Sequence, residues 1–279
     1  MPTIQNLKKK LQVILSTQKL TQAMKTASTI KYSKLSSLYA GYEKYEAQCS
    51  RMYRSYRRDF NAVFSVKNPD APVLYLLLSS NKGMCGSFNT ELFSFFEHKL
   101  GEQESHPVVI CCGKKGKEYL ENKKIPYHKS YLFSDIPSHS DAHALFCDMK
   151  ELMEDEKISA VKIIYPQYQN MMKQTPTCDD LFTFDQEAEN EELLFVPDKQ
   201  TVIVHTAEKI LISILYKKIL ETALGAQAAT LTTMRSAYDT ACEYSTQLET
   251  QINRMRQTQV TADVIEVSSD FARKGKCDL

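Results

Sequence analysis

"LTTMRSAYDTACEYSTQLETQINRM" runs from Leu231 to Met255. Leu231, Met234, Tyr238, Ala241, Ser245, Leu248, Ile252 and Met255 recur at alternating steps of three and four. That spacing puts all eight side chains on one narrow helical stripe, the seam of a coiled coil with one polar position. The stripe sits inside a longer stretch, from Ala207 to Val267, with no proline and only Gly225 as a glycine. A helix of this length spans about 90 Å at 1.5 Å per residue, too long for the inside of a small domain. A stripe so narrow cannot hold a helix in water alone, so a partner helix is required.

The other end of the chain supplies one. Residues 3–60 contain no proline and only Gly41 as a glycine, and Leu7, Leu11 and Ile14 open a stripe that Ala27, Ile30, Leu38 and Tyr45 extend. A helix here spans about 80 Å. Antiparallel pairing of the two ends buries both stripes. The Ala- and Thr-rich strip from Ala226 to Thr233 favours close approach.

A different pattern lies between them. "APVLYLLLSS", "HPVVICCG" and "ISAVKIIYPQY" read as buried strands. "FNTELFSFFEHKLG", "KKGKEYLENKK" and "DAHALFCDMKELMEDEK" read as helices, and strands alternating with helices predict a small parallel α/β sheet. The expected fold is therefore α/β: a long antiparallel two-helix coiled coil from the N- and C-termini plus an inserted small Rossmann-like domain. Its parts are an N-terminal helix over 1–60, an α/β domain over 70–200, a C-terminal helix over 205–268 and a tail over 269–279.

Composition narrows the chemistry. Of 279 residues, 43% are hydrophobic and 25% charged, as in folded globular chains. Residues 1–60 carry about 12 Lys and Arg against about 3 acids, and residues 61–199 are net acidic, with "FDQEAENEELLFVPD" the densest acidic run. A basic N-terminal segment implies an anionic partner surface or a solvated helix face. "RMYRSYRRDF" interleaves arginines with aromatics, but at helical spacing some of those rings must face a core, which argues against nucleic acid. The eight cysteines form no CxxC pair, and no Cys/His set has zinc spacing, so no metal is expected and the thiols are expected free. No stretch of about 18 apolar residues is present, and "MPTIQNLKKKLQVIL" lacks the apolar core of a signal peptide, so neither a membrane span nor a signal or transit sequence is expected.

The loop "SSNKGMCGSFN" (79–89) follows a strand and precedes a helix, as phosphate loops do. Gly83 and Gly86 are spaced G-x-x-G, the third glycine of a dinucleotide loop is missing, and no Gly-Lys-Ser/Thr follows. The glycines suit a tight turn, with Ser87 or Asn89 capping the next helix. His139 and His143 are four apart without the glutamate of H-E-x-x-H, the run "MEDEK" reads as a solvated helix end, and no base is placed beside a serine. No catalytic and no cofactor-binding residue is expected.

Four stretches resemble the F-type ATP synthase gamma subunit. "STQKLTQAMKTASTIKYSKL" (16–35) resembles its I-T-x-A-M-x-x-V-x-x-x-K opening, through Leu20, Thr21, Ala23, Met24 and Lys31. "SSNKGMCGSFN" resembles S-D-R-G-L-C-G-G-F-N, through Ser80, Gly83, Cys85, Gly86, Phe88 and Asn89. "AATLTTMRSAYDTA" (228–241) resembles A-A-R-M-x-A-M-x-x-A-T-D-N-A. "NRMRQTQVTADVIEV" (253–267) resembles N-x-x-R-Q-x-x-I-T-x-E-L-x-E-I, through Asn253, Arg256, Gln257, Thr261 and Glu266. The chain departs from the pattern in four places. Gly225-Ala226 stands for Ser-Glu, Thr230 for Arg, Asn81-Lys82 for Asp-Arg, and "SDFARKGKCDL" for a Gly-Ala-Ala ending. No insertion of the kind that carries the plant-type disulfide switch is present.

The resemblance implies a non-catalytic rotor shaft without cofactor. It would couple proton or sodium flow through a membrane c-ring to ATP synthesis in an alpha/beta ring. Its partners would be the alpha and beta subunits, the epsilon subunit and the c-ring, with membrane contact through partners only and no nucleic acid. Residues expected to touch the alpha/beta ring are Met24, Lys25, Lys82, Cys85, Arg256, Gln257, Thr261 and Glu266. The expected place is the cytoplasmic face of a bacterial plasma membrane rather than a mitochondrion or plastid. A nucleotide-using α/β enzyme and a motor-free coiled-coil adaptor are the competing readings.

Overall fold

The computed structural model describes residues 3–56, 59, 71–102, 107–154, 158–182, 196 and 198–274, with side chains to 268. The acidic run over 183–195, Arg57, Arg58, Phe60, His106, the end of "MEDEK" and the tail side chains over 269–279 lie outside the described residues. Helix α1 spans Ile4–Ser55 and strand β1 Val73–Leu78, followed by α2 (Phe88–Gly101), β2 (Val108–Cys112), α3 (Lys114–Lys123) and β3 (Lys129–Tyr131). Helix α4 (His139–Glu154), strands β4 (Ala160–Asn170) and β5 (Lys173–Phe182), and helix α5 (Lys199–Lys274) complete the order. The chain divides into two units, residues 27–233 and residues 1–26 with 234–279, and α1 and α5 contribute to both.

In the larger unit the strands lie in the order β3-β2-β1-β4-β5. The first four run parallel, with Leu74 beside Val108 on one flank of β1 and Val73 beside Ala160 on the other. Strand β5 is antiparallel to β4, so the sheet is mixed and not wholly parallel as the sequence suggested. The hairpin turns at Met171 and Met172, where the Asn170 side-chain oxygen accepts from the backbone N–H of Met172 and Lys173, both at 2.9 Å. The central strand VLYLLL is apolar at every position because both faces are covered. Leu74, Leu76 and Leu78 meet Met149 of α4 and Leu211 and Leu215 of α5 on one face. Tyr75 and Leu77 meet Leu92 and Phe96 of α2 and Leu120 of α3 on the other. Each fully buried leucine contributes about 2 kcal/mol from burial.

The smaller unit is the helix pair. Leu7, Leu248 and Ile252 form its buried centre, flanked by Ile4, Leu11, Ile14 and Met255. Farther along, Gln18 Nε2 donates to Ser245 Oγ at 2.9 Å, and the Lys25 ammonium lies 5.3 Å from the Tyr238 ring centre. Numbers rise on α1 as they fall on α5, so the pair is antiparallel. All eight seam positions read from Leu231 to Met255 are buried or half-buried.

The stripe on α1 differs from the expectation. Ile30, Leu38 and Tyr45 are 66%, 41% and 54% exposed, and Ala27 is exposed as well. The covered register keeps the three-four alternation but passes through Gln18, Thr21, Lys25 and Ser28, then Tyr32, Leu35, Tyr39, Tyr42, Glu46, Cys49 and Tyr53. Small and hydrogen-bonding side chains hold the middle of the helix, so following hydrophobicity alone moves the stripe off the seam.

Candidate functional site

The loop after β1 is fastened at both ends. The Ser79 N–H donates to Cys112 O at 2.8 Å, and Ser79 Oγ accepts from the Gly116 N–H at 2.9 Å. At the start of α3, the Lys114 N–H donates to Asn81 Oδ1 at 3.3 Å and the Lys115 N–H to Ser80 O at 3.1 Å. Donors that a phosphate would need at this helix start are thus spent on the loop. Gly113, at φ +102, is where backbones come closest: an added Cβ would lie 2.3 Å from Ser79 O. Within the loop, Met84 and Gly86 take left-handed backbone angles, φ 63 and 60, while Gly83 does not. Ser87 sits at the N-cap of α2 without a side-chain cap bond. Asn89 braces the loop instead: its Oδ1 accepts from the Ser80 N–H at 3.3 Å, and its Nδ2 donates to Ser80 Oγ at 2.8 Å.

Of the two loop residues expected to meet a partner, Cys85 is interior. It is 4% exposed and clusters with Phe88, Ala226 and Ala229. Burial pushes its thiol pKa up, which keeps it protonated and unreactive. The small residues of α5 therefore receive this loop, a role the sequence reading gave to helix–helix approach. Gly86 fits the same joint, since a Cβ there would stand 3.0 Å from Thr233 Oγ1. Lys82 is on the surface, and its ammonium lies 2.6 Å from Asp135 Oδ2. Lys31 of α1 reaches the same oxygen at 2.5 Å. Burial raises the Asp135 carboxyl pKa, but hydrogen bonds and charge from Lys31 and Lys82 outweigh it and hold the group below the usual carboxylate value.

In the helix-pair unit, Met24 and Lys25 are half-buried on α1. Arg256, Gln257, Thr261 and Glu266 are exposed on α5, where Thr261 Oγ1 donates to Gln257 O at 2.9 Å. Every described side chain from Arg256 to Ser268 is exposed. Among them Val260, Val264, Ile265 and Val267 are 54–61% exposed, an apolar stripe beyond the end of the seam. Motif matching passed over these four, although their spacing is legible in the sequence. The structure therefore brings Arg256, Gln257, Thr261 and Glu266 onto one uncovered helix end. It keeps Lys82 and Cys85 in the other unit.

Among the described residues the histidines gather no chemistry. The His139 ring stands 5.5 Å from that of Tyr216, and His143 Nδ1 is 3.6 Å from the exposed Cys147 Sγ. Among the described residues no group of three or more metal-ligating side chains comes together.

Known proteins agree with this architecture. The chain is 25% identical over 282 residues to the ATP synthase gamma chain of Rubrobacter xylanophilus, covering 96% of this chain and 97% of that one. It is 26% identical over 281 residues to the ATP synthase gamma chain of Geotalea daltonii, covering 96% and 98%. A similar fold occurs in the Euglena gracilis mitochondrial ATP synthase, in its OSCP/F1/c-ring structure, at a TM-score of 0.73 and 15% identity over 99% of this chain and 96% of that one. Another occurs in the central stalk/c-ring of the Tetrahymena thermophila mitochondrial ATP synthase, at 0.59 and 19%, over 78% and 99%. The ATP synthase family model matches residues 3–272 continuously, through both long helices and the sheet between them, and the chain belongs to that family.

Proposed function

We infer that this chain is the gamma subunit, the rotor shaft of an F-type ATP synthase. The observation that carries this reading is the family match over residues 3–272, together with gamma-chain relatives aligned along nearly their whole length. The structure supports it with a helix pair whose seam ends at Met255 and whose last turns expose valine and isoleucine. A shaft must resist twisting, and two helices joined along a seam resist it better than one. It must also turn, so its outer side chains must exchange partners readily. Exposed ion pairs, worth about 0–1 kcal/mol each, meet that need.

On this reading the subunit itself breaks no bond, and nucleotide chemistry belongs to the beta subunits. Arg256, Gln257, Thr261 and Glu266 touch the alpha/beta ring, with Val260, Val264 and Ile265 as the apolar part of that contact. Met24 and Lys25 meet it from α1. Lys82 offers a charge to the same partners while bound to Asp135, and Cys85 acts from the interior by shaping the loop. Epsilon and the c-ring meet the α/β domain. The domain divisions follow the same roles: helix 1–60, α/β domain 70–200, helix 205–268 and tail 269–279. Among the described residues no helix is long and apolar enough to cross a membrane, which fits attachment through partners at the cytoplasmic face.

The test is reconstitution with alpha and beta subunits. ATP hydrolysis that appears only when this chain is added, with rotation of a bead fixed to the α/β domain, is the expected result. A complex that turns over equally well without the chain overturns the reading.

A further inference from the structure

Within the larger unit, α1 and α5 meet across an apolar and aromatic seam. Tyr32, Leu35, Tyr39 and Tyr42 of α1 pack with Tyr216, Leu220 and Leu224 of α5. The Tyr42 ring stands edge-on to that of Tyr216 at 5.0 Å. Of the covered α1 positions Leu35, Tyr39, Tyr42, Glu46, Cys49 and Tyr53, Glu46 alone carries a charge. Its side chain is 7% exposed, and its Oε2 lies 2.5 Å from the Lys217 ammonium of α5. The other carboxylate oxygen accepts from the Ser50 hydroxyl, and the ammonium stands 6.0 Å from the Tyr39 ring centre. Lys218, the next cation on α5, is taken up by Asp179 of β5 at 2.5 Å.

Burying such a pair gains little stability, because desolvation of two charges cancels most of their attraction. Its effect is to penalise misalignment. In an antiparallel pair, a slide of one turn moves each residue three or four places along its partner. In one direction Glu46 would face Ser213 and Ile214, both buried, and the Ser213 hydroxyl already donates to Lys209 O at 2.8 Å. In the other it would face Leu220 and Glu221, a second buried carboxyl. A charge stranded in this way costs about twice what an unmade neutral hydrogen bond does. The apolar contacts discriminate far less. Leu220 and Leu224 are identical side chains one turn apart, as are Tyr39 and Tyr42, so they exchange places on a slide. Other bonds along α1 are neutral or open to water. The Tyr53 hydroxyl donates to Leu181 O at 2.7 Å, Tyr32 and Tyr168 share a hydroxyl bond at 2.8 Å, and the Lys31–Asp135 pair is partly exposed.

We propose that the Glu46–Lys217 pair selects the register of α1 on α5, while the seam around it supplies the stability. Registers one turn apart offset the two helices by about 5 Å.

Spin labels on keto amino acids replacing Lys34 and Lys209, both exposed, read the register of the whole chain as a dipolar distance. With Glu46 opposite Lys217, these positions are about 30 Å apart along the pair at about 1.5 Å per residue, so a one-turn slide moves them by about 5 Å. The unaltered chain should give one distance. Glu46→Met combined with Lys217→Met should gain a second component displaced by about 5 Å. Its melting temperature should stay within about 3 °C of the unaltered chain's, or rise. Lys217→Met alone leaves the carboxylate buried without its cation and should lower the melting temperature by about 5–10 °C at neutral pH. The original distance alone in the double variant overturns the proposal. So does a double variant that melts as low as Lys217→Met, because the pair would then supply stability rather than alignment.

Discussion

At single residues, the loop after β1 is held by exclusion as much as by attraction. Gly113 combines φ +102 with a Cβ position 2.3 Å from Ser79 O. Gly113→Ala is expected to cost about 3 kcal/mol, read as a fall in melting temperature, because both the backbone angle and the backbone contact are violated. Asp135 makes a different prediction. Its pKa is depressed, so its contribution to stability is complete above the ordinary carboxylate value and is lost as pH falls below it. Asp135→Asn should cost about 1 kcal/mol at neutral pH and flatten the unfolding profile in acid below pH 3.8. Glu221 has the opposite sign. It is 4% exposed, and burial raises its carboxyl pKa above 4.5 against the pull of Lys218. Its contribution to stability is therefore fully present below pH 4.5 and is lost as pH rises through the folded value. Glu221→Gln keeps an oxygen for the Tyr168 N–H, which now donates at 2.9 Å. It should remove that decline and raise stability at pH 7 by about 1 kcal/mol, measured by denaturant titration across pH 4–8.

At the scale of helices and strands, the seam decides what a substitution does. Leu248 is 3% exposed between Leu7 and Ile252, so Leu248→Ala should cost about 2–4 kcal/mol in the helix pair. Ile30, equally apolar but 66% exposed, should tolerate serine with a change under about 0.5 kcal/mol. Thermal unfolding of the two variants separates a residue on the seam from one beside it. That contrast also shows what the sequence made legible. The α5 stripe was readable because Leu248, Ile252 and Met255 are apolar at a strict period. The α1 stripe was not, because Gln18, Thr21, Lys25 and Ser28 occupy it by hydrogen bonding, size and stacking, none of which a hydrophobic pattern registers. Strand β5 escaped for a similar reason. Pro176 and the polar run KQTPTCDDLF argue against a strand until it is placed at a sheet edge, where a missing N–H costs little. The loop's glycines were correctly read as a turn, but the burial of Cys85 depends on Ala226 and Ala229 arriving from about 140 residues away, which motif matching along the chain does not reveal.

For the molecule as a whole, the question is what the uncovered end of α5 is for. Its side chains from Arg256 to Ser268 make no use of the seam, and Val260, Val264, Ile265 and Val267 remain in water at a cost that a lone chain has no reason to bear. Two deletions divide the possibilities. Removing residues 268–279 leaves every seam contact and the whole exposed apolar stripe, so the helix pair should melt at an unchanged temperature and the complex with alpha and beta subunits should still form. Removing residues 257–279 also leaves the seam, which ends at Met255, but takes Gln257, Thr261, Glu266 and the apolar stripe together. The chain should again fold, by circular dichroism and melting temperature. Hydrolysis by the reconstituted complex should fall about tenfold or more, equivalent to losing about 1.4 kcal/mol of coupling. Unchanged turnover in the longer deletion would place the working surface elsewhere on the chain. A lower melting temperature in the shorter one would mean that the tail supports the helix pair rather than extending beyond it.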